Sequence, residues 1–155
     1  MADGVTSSSA RASQRARRSP LKVLITGATG LIGQRLLTQY EAATLTSRRP
    51  RDARITHPEH EVLEWPISTT TAAPAQPIDT VFHLAGEPVA GSRWTAERMR
   101  RIRESRVQGT RDLVDWMVGL PERPSTLVCA SAIGFYGDRG EEELTEESPA
   151  GDSFL

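Results

Sequence analysis

Three glycines recur at every third position in the stretch LKVLITGATGLIGQRLL, residues 21–37: Gly27, Gly30 and Gly33. A short apolar run, Val23-Leu24-Ile25, precedes them, and a second apolar run follows. A glycine directly after a buried strand lets the backbone turn sharply. The next two admit a phosphate and let a helix pack close against the strand. A helix beginning near Leu31 points free N–H groups and roughly +0.5 of a charge at the same spot. A pyrophosphate is the group that suits such a place, so the segment reads as a dinucleotide-binding turn. Three glycines alone would serve equally as a tight structural turn; the strand before them and the helix after them favour the first reading.

About 20 residues beyond the glycines, folds of this kind carry the residue that reads the adenosine ribose: an acid for NAD, an arginine for NADP. Counting on from Gly27 arrives at Ser47, followed by Arg48 and Arg49, with no acid before Asp52. A hydroxyl beside a guanidinium suits a 2′-phosphate. The reading is NADP over NAD, with a solvated basic loop as the alternative. Other reactive groups add little. His57, His60 and His83 are scattered without metal-ligand spacing, so no metal site is expected. Cys129, inside an apolar run, reads as a small buried hydrophobe rather than a nucleophile. His83 reads as a packed or capped strand histidine. The acid-rich segment 138–147 reads as a solvated loop.

Positioning such residues takes alternating strands and helices. Beyond 23–25, strand signals fall at 43–47, 61–65, 79–86 and 125–131. Helical spacing runs from Leu31 to about Ala42, with apolar residues at 31, 32, 36, 37 and 40. It returns from about Thr95 to Val118, with Thr95 as the N-cap and Met99, Ile102, Leu113, Val114 and Met117 as its apolar positions. A Thr/Ala/Pro loop fills 68–77. Alternation of this kind predicts an α/β fold: a Rossmann-type, doubly wound parallel sheet of order 3-2-1-4-5 with right-handed crossovers.

At 155 residues the chain suits one domain. Apolar content of 37% with 25% charged residues excludes both disorder of the whole and a membrane protein. A net charge of −1 offers no general attraction to nucleic acid or acidic lipid, and Trp65, Trp94 and Trp116 form no stacking array; no nucleic-acid or membrane partner is expected. A single cysteine fits a reducing compartment, read as the cytoplasm. Residues 1–20, rich in Ser and Arg, read as a disordered leader, with a transit peptide as the alternative.

ITGATGLIG, LAGEPVAGSRWT, RIRESRVQGTRDLV and SAIGFYGDRG together resemble the atypical extended short-chain dehydrogenase/reductases, in the "epimerase family" branch that includes plant plastid-division proteins. The resemblance covers residues 21–155. It implies that Gly27, Thr29, Gly30, Leu31, Ile32 and Gly33 wrap the pyrophosphate, and that Ser47 and Arg48 take the 2′-phosphate. Leu84, Ala85 and Gly86 would line the adenine-ribose side of the dinucleotide, and Glu87 would reach a ribose or the substrate side. Leu84 also reads as plain strand core, and Glu87 as a surface carboxylate. Ser131 would sit near the nicotinamide as the tentative catalytic residue, and Tyr136 would be a packed or substrate-side ring. In the family the acid-rich segment borders the substrate mouth and would disfavour an anion there. The implied activity is that of an oxidoreductase or epimerase acting on an unknown small molecule, with a non-catalytic NADP-dependent scaffold as the alternative.

Three departures stand out. The path from Gly33 to Arg48 is short by about one helical turn of ~3.6 residues. Ser131 lies one position too far from Tyr136-Gly137. No Tyr-x-x-x-Lys pair exists, because Lys22 is the only lysine. The resemblance further implies a sheet that stops before its last strands, hence a cofactor-binding half whose free sheet edge would favour self-association.

Overall fold

The computed structural model describes residues 21–91, 93–152 and 154; the expected leader, residues 1–20, lies outside them. Five strands form one parallel sheet in the order β3-β2-β1-β4-β5. They are β1 (Val23–Thr26), β2 (Thr44–Ser47), β3 (Glu61–Glu64), β4 (Thr80–His83) and β5 (Thr126–Cys129). The connecting helices are α1 (Leu31–Leu37), α2 (Pro50–Thr56) and α3 (Ala96–Gly119), and a 3₁₀ turn follows at Ile133–Tyr136. The order and direction are those predicted, and they define a Rossmann-like fold.

The central strand explains the apolar run that announced it. Side chains alternate across a strand, so Val23 and Ile25 join one buried cluster with Leu45, Val62, Leu37 and Ala53. Leu24 joins the other, with Val81, Ile67, Ile78, Leu113 and Trp116. α1 and α2 cover the first face and α3 the second.

Several boundaries differ from expectation. α1 ends at Leu37 because the chain tightens there: Gln39 and Tyr40 N–H donate three residues back, to Leu36 and Leu37 carbonyls, both at 3.0 Å. Leu31 and Ile32 are not its core positions but stand 90% and 66% exposed on its first turn. α2 was not anticipated; Pro50 at its first turn starts it, and Ala53 is its one buried residue. In α3, Val114 is exposed and Trp116 takes the core position expected of it, its indole N–H donating to the Thr71 carbonyl at 3.1 Å. Thr95 caps α3 as predicted, accepting from the Arg98 N–H at 3.2 Å. Cys129 is exposed, not buried. β5 pairs with β4 alone among the described residues, and all four of its residues are exposed.

Candidate functional site

Because every strand is parallel, the ends of β1, β2, β4 and β5 open on one edge of the sheet. The register puts Thr26 beside His83 and His83 beside Cys129. The residues that follow, Gly27, Leu84 and Ala130, therefore stand abreast. Ligands in open α/β sheets bind at this carboxyl edge, where the strand order reverses. Here the reversal falls between β1 and β4.

Gly27 turns there with φ +70, and a Cβ on it would stand 2.7 Å from the Leu84 carbonyl carbon and 2.8 Å from Ala85 N. Gly33 has the same constraint from the helix side: a Cβ would come within 2.6 Å of Ala28 Cα. Gly30 is the N-cap of α1 in extended conformation, with no side-chain cap. Its N–H donates to the Gly27 carbonyl at 3.0 Å. Thr29, Gly30, Leu31 and Ile32 are all exposed around this turn. The two outer glycines thus press the turn against β4 and α1, while its middle remains open.

A residue not singled out in the sequence holds this arrangement together. Thr26 is fully buried, and its Oγ1 accepts the N–H groups of Leu84 and Ala85, each at 3.1 Å. With its lone pairs so engaged, its hydroxyl donates to His83 Nδ1 at 2.7 Å. His83 is then the neutral tautomer protonated at Nε2, which donates to Thr110 Oγ1 at 3.1 Å on α3. Burial pushes the His83 pKa below the ordinary 6.5, consistent with that state. The packed histidine predicted from the sequence is thereby a link between β1, β4 and α3, with the Trp65 ring 5.7 Å away.

Ser47 ends β2 and Arg48 follows it at the same edge. Ser47 Oγ accepts the Arg49 N–H at 3.1 Å, and Arg49 pairs with Asp52 at 3.6 Å. Arg48 is exposed, without a hydrogen bond or ion pair among the described residues. Leu84 and Ala85 are half-buried and Gly86 is exposed. The Glu87 backbone is fixed from α3: its N–H donates to Ser105 Oγ at 2.9 Å, and its carbonyl accepts from Arg106 Nη1 at 3.1 Å. Ser131 is exposed just beyond β5. Tyr136 stacks edge-on against Phe135 at 5.0 Å. Lys22 precedes β1, at the opposite end of the sheet from Ser131. One buried hydroxyl near the edge, Thr46 Oγ1, has no partner among the described residues. Open amides at the turn, exposed Arg48 and the strip Leu84-Ala85-Gly86 just after β4 fit a dinucleotide laid across the reversal.

The histidines are less scattered than their spacing suggested. His57, Glu59 and His60 bring ligand-type atoms within 4.8 Å of one another. His60 Nδ1 accepts the Ala43 N–H at 3.0 Å, so its hydrogen sits on Nε2, facing Glu59 Oε1 at 3.1 Å. A neutral imidazole has one lone pair, and Ala43 occupies it. The cluster fastens the start of β2 to the turn before β3 and leaves His60 nothing to offer a cation.

Comparison with known proteins gives concordant matches. Residues 23–153 match the model of the NAD dependent epimerase/dehydratase family. The chain is 34% identical over 139 residues to the epimerase family protein YfhF of Bacillus subtilis, covering 85% of this chain and 44% of that protein. It is 32% identical over 155 residues to the chloroplastic SDR39U1 homolog of Arabidopsis thaliana, covering 90% and 42%. Among solved structures it resembles the human epimerase family protein SDR39U1 (isoform 2) with NADPH: TM-score 0.70, 27% identity, 86% of this chain and 44% of that one. A dTDP-glucose 4,6-dehydratase from Bacillus anthracis in complex with NAD shares the fold at TM-score 0.53 and 18% identity. The chain thus spans less than half the length of these proteins.

Proposed function

The chain belongs to the NAD dependent epimerase/dehydratase family, and from that premise we propose that it is an NADP-binding protein of oxidoreductase or epimerase type, acting on an unidentified small molecule. The observation that carries the reading is Gly27: positive φ, and no room for a Cβ against Leu84 and Ala85. That geometry brings the turn onto β4 and leaves the amides of the first turn of α1 facing the open edge. Gly27, Thr29, Gly30, Leu31, Ile32 and Gly33 hold the pyrophosphate. Ser47 and Arg48 hold the 2′-phosphate, and the strip Leu84-Ala85-Gly86 carries the cofactor from its adenosine side at Leu84 towards its nicotinamide-side phosphate at Gly86, with Glu87 at a ribose. The nicotinamide, when bound, would supply or take the hydride, and Ser131, exposed just beyond β5, would be the polar group beside it. The unpaired guanidinium of Arg48 supports NADP, as does the NADPH of the human structure; the NAD of the dehydratase marks the competing cofactor.

Titration of the purified chain with NADPH and separately with NADH tests this. Saturable binding that prefers NADPH and weakens at least tenfold in Arg48→Ala is the expected result. Equal affinity for both would move the reading to NAD(P) without selection, and no binding by a folded chain would reject it.

A second reading has its own observation. No lysine lies at the site end of the sheet among the described residues, since Lys22 precedes β1. A non-catalytic, NADP-responsive scaffold needs none. Binding of NADPH with no oxidation over a panel of aldehydes, ketones and sugar nucleotides would favour it. The lone cysteine, reduced and exposed, supports a cytoplasmic setting, which localisation of a tagged chain would test. β5, paired with β4 alone among the described residues, supports self-association.

A further inference from the structure

The loop leaving β4 is held from α3 by three side chains. Arg98 Nη2 donates to the carbonyls of Pro88 and Ala90 at 2.7 and 3.1 Å. Ser105 and Arg106 take the two backbone groups of Glu87, as described above. Arg98 and Arg106 each spend one terminal nitrogen on two carbonyls, and Arg98 Nε is buried without a partner among the described residues; of the two, Arg106 is the one whose guanidinium lies against Gly86. Its Nη1 also donates to the Ile102 carbonyl at 3.2 Å. Nε and Nη2 have no hydrogen-bond partner, and no carboxylate pairs with the guanidinium, among the described residues.

The guanidinium lies flat against Gly86. A Cβ at that position would stand 3.4 Å from Cζ, 3.5 Å from Nη1 and 3.6 Å from Nη2. Any side chain there would cover the face that glycine leaves bare. A half-buried cation with two free donors and no counter-ion therefore flanks the strip on which a dinucleotide would lie. A groove of about 450 Å³ continues from it along α3, past Thr110, Val107, Val114 and Arg111 to Asp115. Charge-assisted bonds from guanidinium to carboxylate or phosphoryl oxygens are among the stronger hydrogen bonds, and a half-buried charge without a partner is costly.

We propose that Arg106 is the oxyanion-recognising residue of this site, its free edge taking the negatively charged oxygens of a ligand seated on Ala85-Gly86. The inference rests on the dinucleotide reading above. Two sources present such oxygens: the nicotinamide-side phosphate of the cofactor and a carboxylate on the substrate. The guanidinium lies against Gly86, on the strip read as carrying the cofactor, so the phosphate is the favoured source.

Arg106→Gln tests it in the full chain, because glutamine keeps a polar side chain at this position but carries no charge. Arg106→Lys restores charge without the planar fork. Each protein is titrated with NADPH, with reduced nicotinamide mononucleotide and with 2′,5′-ADP; benzoate is then titrated into the NADPH-saturated form. The expected result is a tenfold or greater loss for NADPH and the mononucleotide in Arg106→Gln, part of it recovered in Arg106→Lys, with 2′,5′-ADP unchanged within twofold. Loss confined to benzoate would keep the inference with the carboxylate as source. Wild-type affinities in all arms would overturn it, as would an equal loss for 2′,5′-ADP, the mark of a loop that merely collapsed. A wild-type chain that binds no NADPH at all would instead reject the dinucleotide reading and this inference with it.

Discussion

Among the glycines of the turn, Gly27 and Gly30 look alike in sequence and differ sharply in what they tolerate. Gly27→Ala must place a methyl group at φ +70 against the Leu84 carbonyl carbon, 2.7 Å away. Backbone strain of this kind and the displaced contact together cost about 3 kcal/mol. Gly30 has φ −78, and its Cβ would meet the Gly27 carbonyl oxygen at 3.3 Å, so Gly30→Ala should cost under about 1 kcal/mol. Urea unfolding of the two variants checks the contrast; similar losses would mean the turn does not press on β4. The histidine link makes a second prediction. His83 has a lowered pKa in the folded chain through burial, so the unfolded chain binds more protons as pH falls below the ordinary 6.5. Its contribution to stability is full above that value and is lost as pH falls through the folded pKa. His60, lowered mainly by burial, acts with the same sign. The melting temperature should therefore fall between pH 7 and 5, and His83→Gln should flatten part of that slope; an unchanged slope would sink the claim. Thr26 was not legible as a site residue, because its role arises from pairing with His83, 57 positions away. His60 gave no sign of its tautomer either, since the decisive partner is the backbone N–H of Ala43.

Elements were legible where pattern and burial coincide. Val23-Leu24-Ile25 is continuous because β1 packs on both faces, and Thr95 announced α3 because its hydroxyl is the acceptor that a helix start lacks. Thr95→Ala should accordingly lower stability by about 1 kcal/mol, measured by chemical denaturation, while Thr95→Ser should lose little. Thr95→Ala at wild-type stability would show that Arg98, bonded to the loop carbonyls, holds the helix start unaided. α2 escaped notice because Pro-Arg-Asp-Ala-Arg-Ile-Thr buries Ala53 alone and so has no apolar period to read. α1 was drawn too long for the opposite reason. Leu36, Leu37 and Tyr40 keep a helical spacing, yet the backbone has already tightened at Leu37, and Tyr40 packs on Phe82 from the following turn at 6.4 Å. Cys129 misled because its apolar neighbours describe a strand without saying whether anything covers it.

On the scale of the molecule, that uncovered strand is the feature with most consequence. Among the described residues β5 pairs with β4 alone, and its residues Thr126-Leu127-Val128-Cys129 carry no charge. Natural sheets guard such edges with charged side chains, proline or bulges, and β5 shows none of these within its four residues. Leu127 and Val128 point to opposite faces of the sheet and are 37% and 43% exposed among the described residues. The outer surface of α3 continues the apolar character through Val107, Val114 and Val118, all exposed. Backbone pairing with burial of these side chains is the association the geometry favours. Sedimentation velocity of the full chain should therefore show concentration-dependent dimers or larger species. Val128→Lys, at a position 43% exposed, should shift the population towards monomer while leaving the circular dichroism spectrum and the NADPH affinity unchanged. The affinity arm carries the argument further, because the proposed dinucleotide strip lies on β4 and the glycine turn on β1, one and two strands in from this edge. Monomer with intact binding would show that the half-site is complete within these five strands. Monomer with lost binding would mean that Ser131 and the segment after β5 depend on the edge being paired, and would join assembly to cofactor capture in one equilibrium.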